Sequence, residues 1–125
     1  MSILCSISTK GRYDTTLPMA IQSVITQTVK PNKIVIFDDN EKPKDLRNIQ
    51  QYEYLFRILS LNNMDWEVIF GDKKGQHFNH QKANLMPFKW VWRLDDDTIA
   101  EPNVLENLIK HTSPEIGAVG GSKKW

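Results

Sequence analysis

Short apolar runs alternate with helix-patterned segments along this chain, and each run stops abruptly at polar or acidic residues. Ile3 to Ile7 ends in Ser8-Thr9-Lys10-Gly11, Lys33 to Phe37 in Asp38-Asp39-Asn40, Glu67 to Phe70 in Gly71-Asp72, and Trp90 to Leu94 in Asp95-Asp96-Asp97. The runs Ile3 to Ile7 and Lys33 to Phe37 suit strands buried on both faces. A fifth run, Ile116 to Val119, closes at Gly120-Gly121.

Between the runs the period changes. Leu17, Ala20, Ile21, Val24 and Ile25 recur at helical spacing, with Thr15 or Thr16 placed to cap and Pro18 in a first turn that does not need its N–H. Ile49, Tyr52, Phe56 and Leu59 mark a second helix that leaves at Asn62-Asn63. A short helix is expected around Gln81 to Met86 within the polar stretch Gly75 to Pro87. Pro102 opens another, with Val104, Leu105, Leu108 and Ile109 on one side. Strand and helix in alternation predict βαβ crossovers, hence an α/β fold with a mostly parallel sheet and helices on both faces. In such sheets the ligand crevice lies beyond the carboxyl ends of the strands. Those ends here carry Thr9, Asp38-Asp39, Gly71-Asp72 and the three consecutive aspartates.

Bulk properties limit what such a crevice can serve. The 125 residues make one such unit. A net charge of +1 creates no field able to gather nucleic acid or an anionic bilayer, so neither is an expected partner. Cys5 is the only cysteine, cannot form an internal disulfide, and lies in an apolar run where an inert buried thiol is expected. No stretch approaches the ~20 apolar residues of a membrane span, and the start lacks a signal-peptide pattern. A cytoplasmic setting is the expectation.

Three adjacent carboxylates repel one another in a dry pocket unless they splay into water or a cation holds them. Oxygen donors of this kind suit Mg²⁺ or Mn²⁺, which accept one or two protein carboxylates and complete their shell with water and phosphate. Strand-like alternation lets Asp95 and Asp97 share a direction that Asp96 does not. The competing reading is an acidic loop at the start of the next helix, where the dipole also favours acids. Asp38-Asp39 suits hydrogen bonding to a sugar hydroxyl or a base N–H, or else forms a plain turn with Asn40. Ser8 to Arg12 offers hydroxyls, a glycine and two cations, without the spacing of a phosphate-binding glycine loop. Arg12 there is either a phosphate ligand or a surface charge, and Lys73, Lys74 and Lys82 have the same two readings. His77 and His80 are three apart, but no cysteine partner or zincin spacing accompanies them, so zinc is not expected. Trp90 and Trp92 read as packed sheet residues.

Taken together, Ile7-Ser8-Thr9, the helix from Leu17 to Gln27-Thr28, Ile34 to Asn40, Leu94-Asp95-Asp96-Asp97 with Pro102 and its helix, and Gly117 to Gly121 resemble family 2 glycosyltransferases from end to end. The resemblance implies a Rossmann-like GT-A nucleotide-diphospho-sugar transferase fold. It also implies an inverting transfer from a nucleoside diphosphate sugar, with UDP-sugar the expected donor, to an acceptor it does not identify. Asp95-Asp96-Asp97 matches the family's DXD motif. By position, Thr9 and Asp39 take the base contacts, Asp95 and Asp96 the ribose or metal, Asp97 direct ligation of Mn²⁺ or Mg²⁺, and Lys82, more loosely, a basic residue facing the nucleotide. Family catalytic domains extend well past the position of Trp125, and their general base comes from a later segment. Residues 1–125 are therefore expected to be the nucleotide-sugar-binding part, without the acceptor-binding part, and the catalytic base is not assigned.

Two other classes compete. A receiver-type signalling domain has a similar length and acidic strand ends, but its acidic pair follows the first strand, whereas acids here follow the second and fourth. A nucleotide-binding fragment without catalytic activity carries the same residues as the transferase reading.

Overall fold

The computed structural model describes residues 2–12, 14–40, 46–71 and 73–111. Its elements run β1 (Ile3–Thr9), α1 (Leu17–Ile25), β2 (Lys33–Asp38), a 3-10 turn (Leu46–Asn48), α2 (Gln50–Leu61), β3 (Asp65–Phe70), α3 (Gln76–Asn84), β4 (Trp90–Asp95) and α4 (Val104–Lys110). The strands form one sheet in the order β3-β2-β1-β4, every pairing parallel. Cys5 lies between Ile34 and Trp92 in register, and all of β1 is buried, Ser6, Ser8 and Thr9 included. The Cys5 thiol sits wholly in the core, and burial pushes it far above its ordinary value, so it stays protonated and inert.

Alternation along the strands divides the interior into two layers. Ile3, Cys5, Ile7, Ile34, Ile36, Trp92 and Leu94 pack with α1, α2 and α4 through Ile21, Val24, Phe56, Leu59 and Leu105. On the opposite face Leu4, Val35 and Phe37 meet Ala83 of α3. Helices therefore cover both faces, as the alternating pattern predicts. Trp92 is buried and Trp90 packs on the larger cluster, so both act as sheet residues.

The order β3-β2-β1-β4 decides where a ligand can enter. The chain leaves β1 in one direction to make β2 and β3, then returns to the other side of β1 for β4. The connections on either side of β1 thus diverge and open a crevice at the carboxyl ends of β1 and β4. This order also excludes the receiver arrangement, in which the second and third strands flank the first.

Some local expectations shift. The helix expected at Gln81 to Met86 instead spans Gln76–Asn84 and starts after Gly75, whose φ of 94° suits glycine. Thr16 occupies the N-cap of α1, with Pro18 in the first turn, but the Thr16 hydroxyl makes no capping bond. Asn62 does end α2, and Asn63 follows with φ 58°. The expected strand Ile116 to Val119, with Gly120-Gly121, lies outside the described residues.

Candidate functional site

β1 and β2 remain paired past their last strand residues, because Asp39 N–H donates to the Thr9 carbonyl at 3.0 Å. On the other side of β2, Gly71 N–H donates to the Asp38 carbonyl at 2.8 Å. Thr9, Asp38, Asp39 and Gly71 are thereby fixed in one row along the carboxyl rim. The loop after β4 is held from behind. Gln27, fully buried at the end of α1, donates to the Glu101 carbonyl at 2.6 Å and accepts from Leu105 N–H at 3.0 Å, while Ser23 Oγ accepts from Ala100 N–H at 3.1 Å. Thr98 N–H donates to the Asp95 carbonyl at 3.1 Å, turning the chain just after the aspartates.

The three aspartates take different positions. Asp96 turns toward β1 and accepts from Lys10 N–H at 3.2 Å. Burial raises its pKa above the ordinary 3.8, with the neighbouring Asp97 charge acting the same way; Thr9, Lys10 N–H and the Arg12 guanidinium oppose the rise. The Thr9 hydroxyl, though beside Asp96 and buried, has no partner in full hydrogen-bonding geometry. Asp97 is exposed. Asp95, opposite Ser8 in register, acts electrostatically on His80 on the α3 side of the sheet.

Asp39 is 4% exposed and accepts three bonds. Lys73 N–H donates to Oδ1 at 3.2 Å, Gly75 N–H to Oδ2 at 3.2 Å, and Asn79 Nδ2 to Oδ2 at 2.8 Å. The other side of this carboxylate presses on Gly71, where an added Cβ would collide with Asp39 Oδ1. Close approach therefore requires glycine at position 71. Asp38, on the opposite face, accepts from Asn40 N–H at 3.0 Å and from its side-chain amide at 2.7 Å. Asn40 in turn accepts from Gly11 N–H and ties down the loop after β1.

Between these groups lies a crevice of about 250 Å³ whose wall includes Ser8, Lys10, Arg12, Asp39, Lys73 and Asp96. Thr9, Asp39, Asp96 and Arg12 are thus brought together. Lys82 is not at the crevice wall; it is half-buried on α3, with Nζ 5.5 Å from the Phe78 ring centroid. His77 and His80 diverge: His77 meets Gln81 at 3.0 Å, while buried His80 meets Ser6 Oγ at 2.8 Å. Among the described residues no three histidine, cysteine or acidic side chains gather as a metal-binding cluster. Sequence reasoning gave no role to Asn79 or Gln27, because a lone buried amide has no periodic signature.

This geometry, an acidic rim facing lysines and an arginine at the switch point of a parallel sheet, has a counterpart in sequence. Residues 6–122 match Glycosyl transferase family 2. The chain belongs to that family. Its fold is shared with TarS of S. aureus, a solved structure that superposes with a TM-score of 0.62 at 16% identity. The match covers 88% of this chain and 19% of the TarS chain, so the residues described here correspond to a small part of that protein. At this identity the likeness carries the GT-A fold. No match was found among curated proteins. No helix among the described residues is long and apolar enough to cross a membrane.

Proposed function

We propose that this chain is the donor-binding part of a glycosyltransferase that takes a nucleoside diphosphate sugar, UDP-sugar first among them, and passes the sugar to an acceptor with inversion. The single observation that carries the reading is the meeting of Thr9, Asp39 and Asp96 with Lys10, Arg12 and Lys73 around one crevice. A nucleoside diphosphate needs both kinds of group: acceptors for base and ribose donors, and cations for the pyrophosphate. Asp39 serves the base, Thr9 lies along it, and Asp96 takes the ribose. Arg12, with Lys10 and Lys73, serves the phosphates, and Lys82 has at most an indirect part from its place over Phe78.

The acidic rim also fits a divalent cation. Its donors are hard oxygens, and burial and the neighbouring Asp97 charge both disfavour the ionised form of Asp96, a conflict that a cation would relieve. A Mg²⁺ or Mn²⁺ site with one or two protein carboxylates and substrate phosphates does not require a preformed cluster of three. Asp97 and Asp95 would hold the ion. The chemistry it supplies when bound is neutralisation of charge on the departing diphosphate. This chain's own residues orient the donor, and the acceptor site and general base belong to the larger unit.

Calorimetric titration with UDP, CDP, GDP and ADP, with and without Mn²⁺, tests the reading. UDP binding strengthened by Mn²⁺ and weakened by Asp39→Ala, even without metal, is the expected result. Absence of binding by every nucleotide would end it. A transfer assay comparing this chain with a longer one tests the division of labour, and comparable turnover by both would contradict it.

A further inference from the structure

α4 begins without a cap of its own. Asn103 stands at its N-cap position and its side chain makes no capping bond, although the first N–H groups of a helix need acceptors from outside it. Gln27, fully buried just past the end of α1, supplies one from another part of the chain: its Oε1 accepts from Leu105 N–H at 3.0 Å. The amide nitrogen donates to the Glu101 carbonyl at 2.6 Å and to the Ser23 carbonyl at 3.1 Å. Its orientation is therefore fixed, since a turned amide would set N–H against N–H at Leu105 and carbonyl against carbonyl at Glu101.

Gln27 does not act alone. Ser23 Oγ donates to the Ala20 carbonyl at 2.7 Å and accepts from Ala100 N–H at 3.1 Å, and Thr28 N–H donates to the Pro102 carbonyl at 2.8 Å. Three consecutive residues, Ala100, Glu101 and Pro102, are thus tied by hydrogen bonds to the end of α1. An apolar side chain would pack here with less desolvation, because a buried amide must make its bonds to offset the loss of water. What the amide adds is a fixed place for the backbone it holds.

That place matters to the aspartates. Asp96 is tied to the loop after β1 through Lys10 N–H at 3.2 Å, and Thr98 N–H closes a turn onto the Asp95 carbonyl at 3.1 Å. Asp97 lies between Asp96 and Ala100, exposed, and among the described residues no hydrogen bond holds its carboxylate. Ile99, 59% exposed, adds little packing to the span. The course of the chain past Asp97 is therefore set by its two ends, one on the loop after β1 and one on α1. Resting on the proposed cation and diphosphate site, we infer that Gln27, with Ser23, is a positioning residue that presets the Asp95 to Asp97 turn for a divalent cation, so that the ion does not have to order the loop as it binds. Groups that orient a metal's ligands from behind commonly change its affinity by about 10- to 100-fold.

Calorimetric titration of the whole chain with UDP, with and without Mn²⁺, provides the test, with thermal melting of each variant alongside. Gln27→Met keeps the length of the side chain and removes its bonds. The gain in UDP affinity that Mn²⁺ brings should then fall about tenfold, while metal-free UDP affinity, which depends on the β1 and β2 end of the crevice, stays unchanged. Ser23→Ala, which takes the acceptor from Ala100 N–H by removing one oxygen, should lower the gain in the same direction. Val24→Ala, at a fully buried apolar position of the same helix, is the control: it should lower the melting temperature and keep the full gain. A full Mn²⁺ gain in Gln27→Met, or in Ser23→Ala should Gln27→Met not fold, would overturn the inference and leave the cation site standing. So would an equal loss in Val24→Ala or a parallel fall in metal-free affinity, either of which marks a loosened fold. No Mn²⁺ effect in the wild type would overturn the cation site and the inference with it.

Discussion

The two faces of the sheet are built from different materials. Under α1, α2 and α4 lies a continuous apolar layer that includes Ile7, Ile21, Ile36, Phe56 and Leu94. Under α3 the fully buried apolar part shrinks to Leu4, Val35, Phe37 and Ala83, with Ile69, Met86, Phe88 and Val91 partly buried around it, and Ser6, Ser8, Asn79 and His80 are buried beside it. The first face holds the sheet together. The second carries two polar groupings, Ser6 with His80 in the sheet's interior and Asn79 with Ser8 and Asp39 at the rim. Stability and ligand recognition are thus largely separated by the pleat, since neighbouring residues of one strand point to opposite faces.

Truncation on the apolar side should produce the largest loss of stability with the least change in selectivity. Ile36→Ala, at a fully buried position, should lower the unfolding free energy by about 3 kcal/mol in denaturant titration. The ratio of UDP to CDP affinity in the folded protein should not move. A changed ratio would show that the two faces are coupled.

Gly71→Ala makes the converse cut. Its Cβ cannot coexist with Asp39 Oδ1, so the carboxylate must leave the donors of Lys73, Gly75 and Asn79. Loss of charge-assisted bonds of this kind should weaken UDP binding about tenfold or more. Calorimetry that finds unchanged affinity would mean Asp39 does not meet the base. Asp97→Asn acts at the exposed residue next to Asp96 and should remove the gain in UDP affinity that Mn²⁺ brings, leaving metal-free affinity intact. Persistence of the full Mn²⁺ effect would take Asp97 out of the ligand set.

The same division explains what the sequence revealed. All four described strands follow from short apolar runs, and helices α1 and α2 from the helical spacing of their apolar residues. α3 defeated that reading: its inward positions include Asn79 and His80, so hydropathy does not separate its faces. The acids of the rim were legible as abrupt ends of apolar runs. The clamp on Asp39 was not, because two of its donors are the backbone N–H groups of Lys73 and Gly75, which any residue but proline carries. Lys82 was placed from its charge and a loose resemblance by position, and its ammonium group lies over Phe78.

One carboxyl group and one imidazole test the faces through pH, with smaller effects. Asp96 has a folded pKa raised above 3.8, so its contribution to stability is present below that value and is lost as pH rises through the raised one. Without metal or nucleotide, Asp96→Asn should therefore modestly raise the melting temperature at neutral pH, and the gain should vanish in acid. A lower melting temperature at neutral pH would mean that its bond from Lys10 N–H outweighs the burial.

His80 lies on the polar face, and its linkage has the opposite sign. Burial lowers its pKa from 6.5, the Arg93 charge adds to the effect, and Asp95 works against it. The unfolded chain then binds a proton that the folded one refuses, so the stabilisation is present above pH 6.5 and declines as pH falls toward the folded value. His80→Gln removes the titrating ring and keeps a group able to bond Ser6 Oγ. In metal-free protein its unfolding free energy should fall less steeply than the wild type's as pH drops from about 7 to about 5, the window set by an ordinary histidine. Equal slopes would place the proton uptake elsewhere, and would mean that the Ser6–His80 pair under α3 is held by its hydrogen bond whatever the charge on the imidazole.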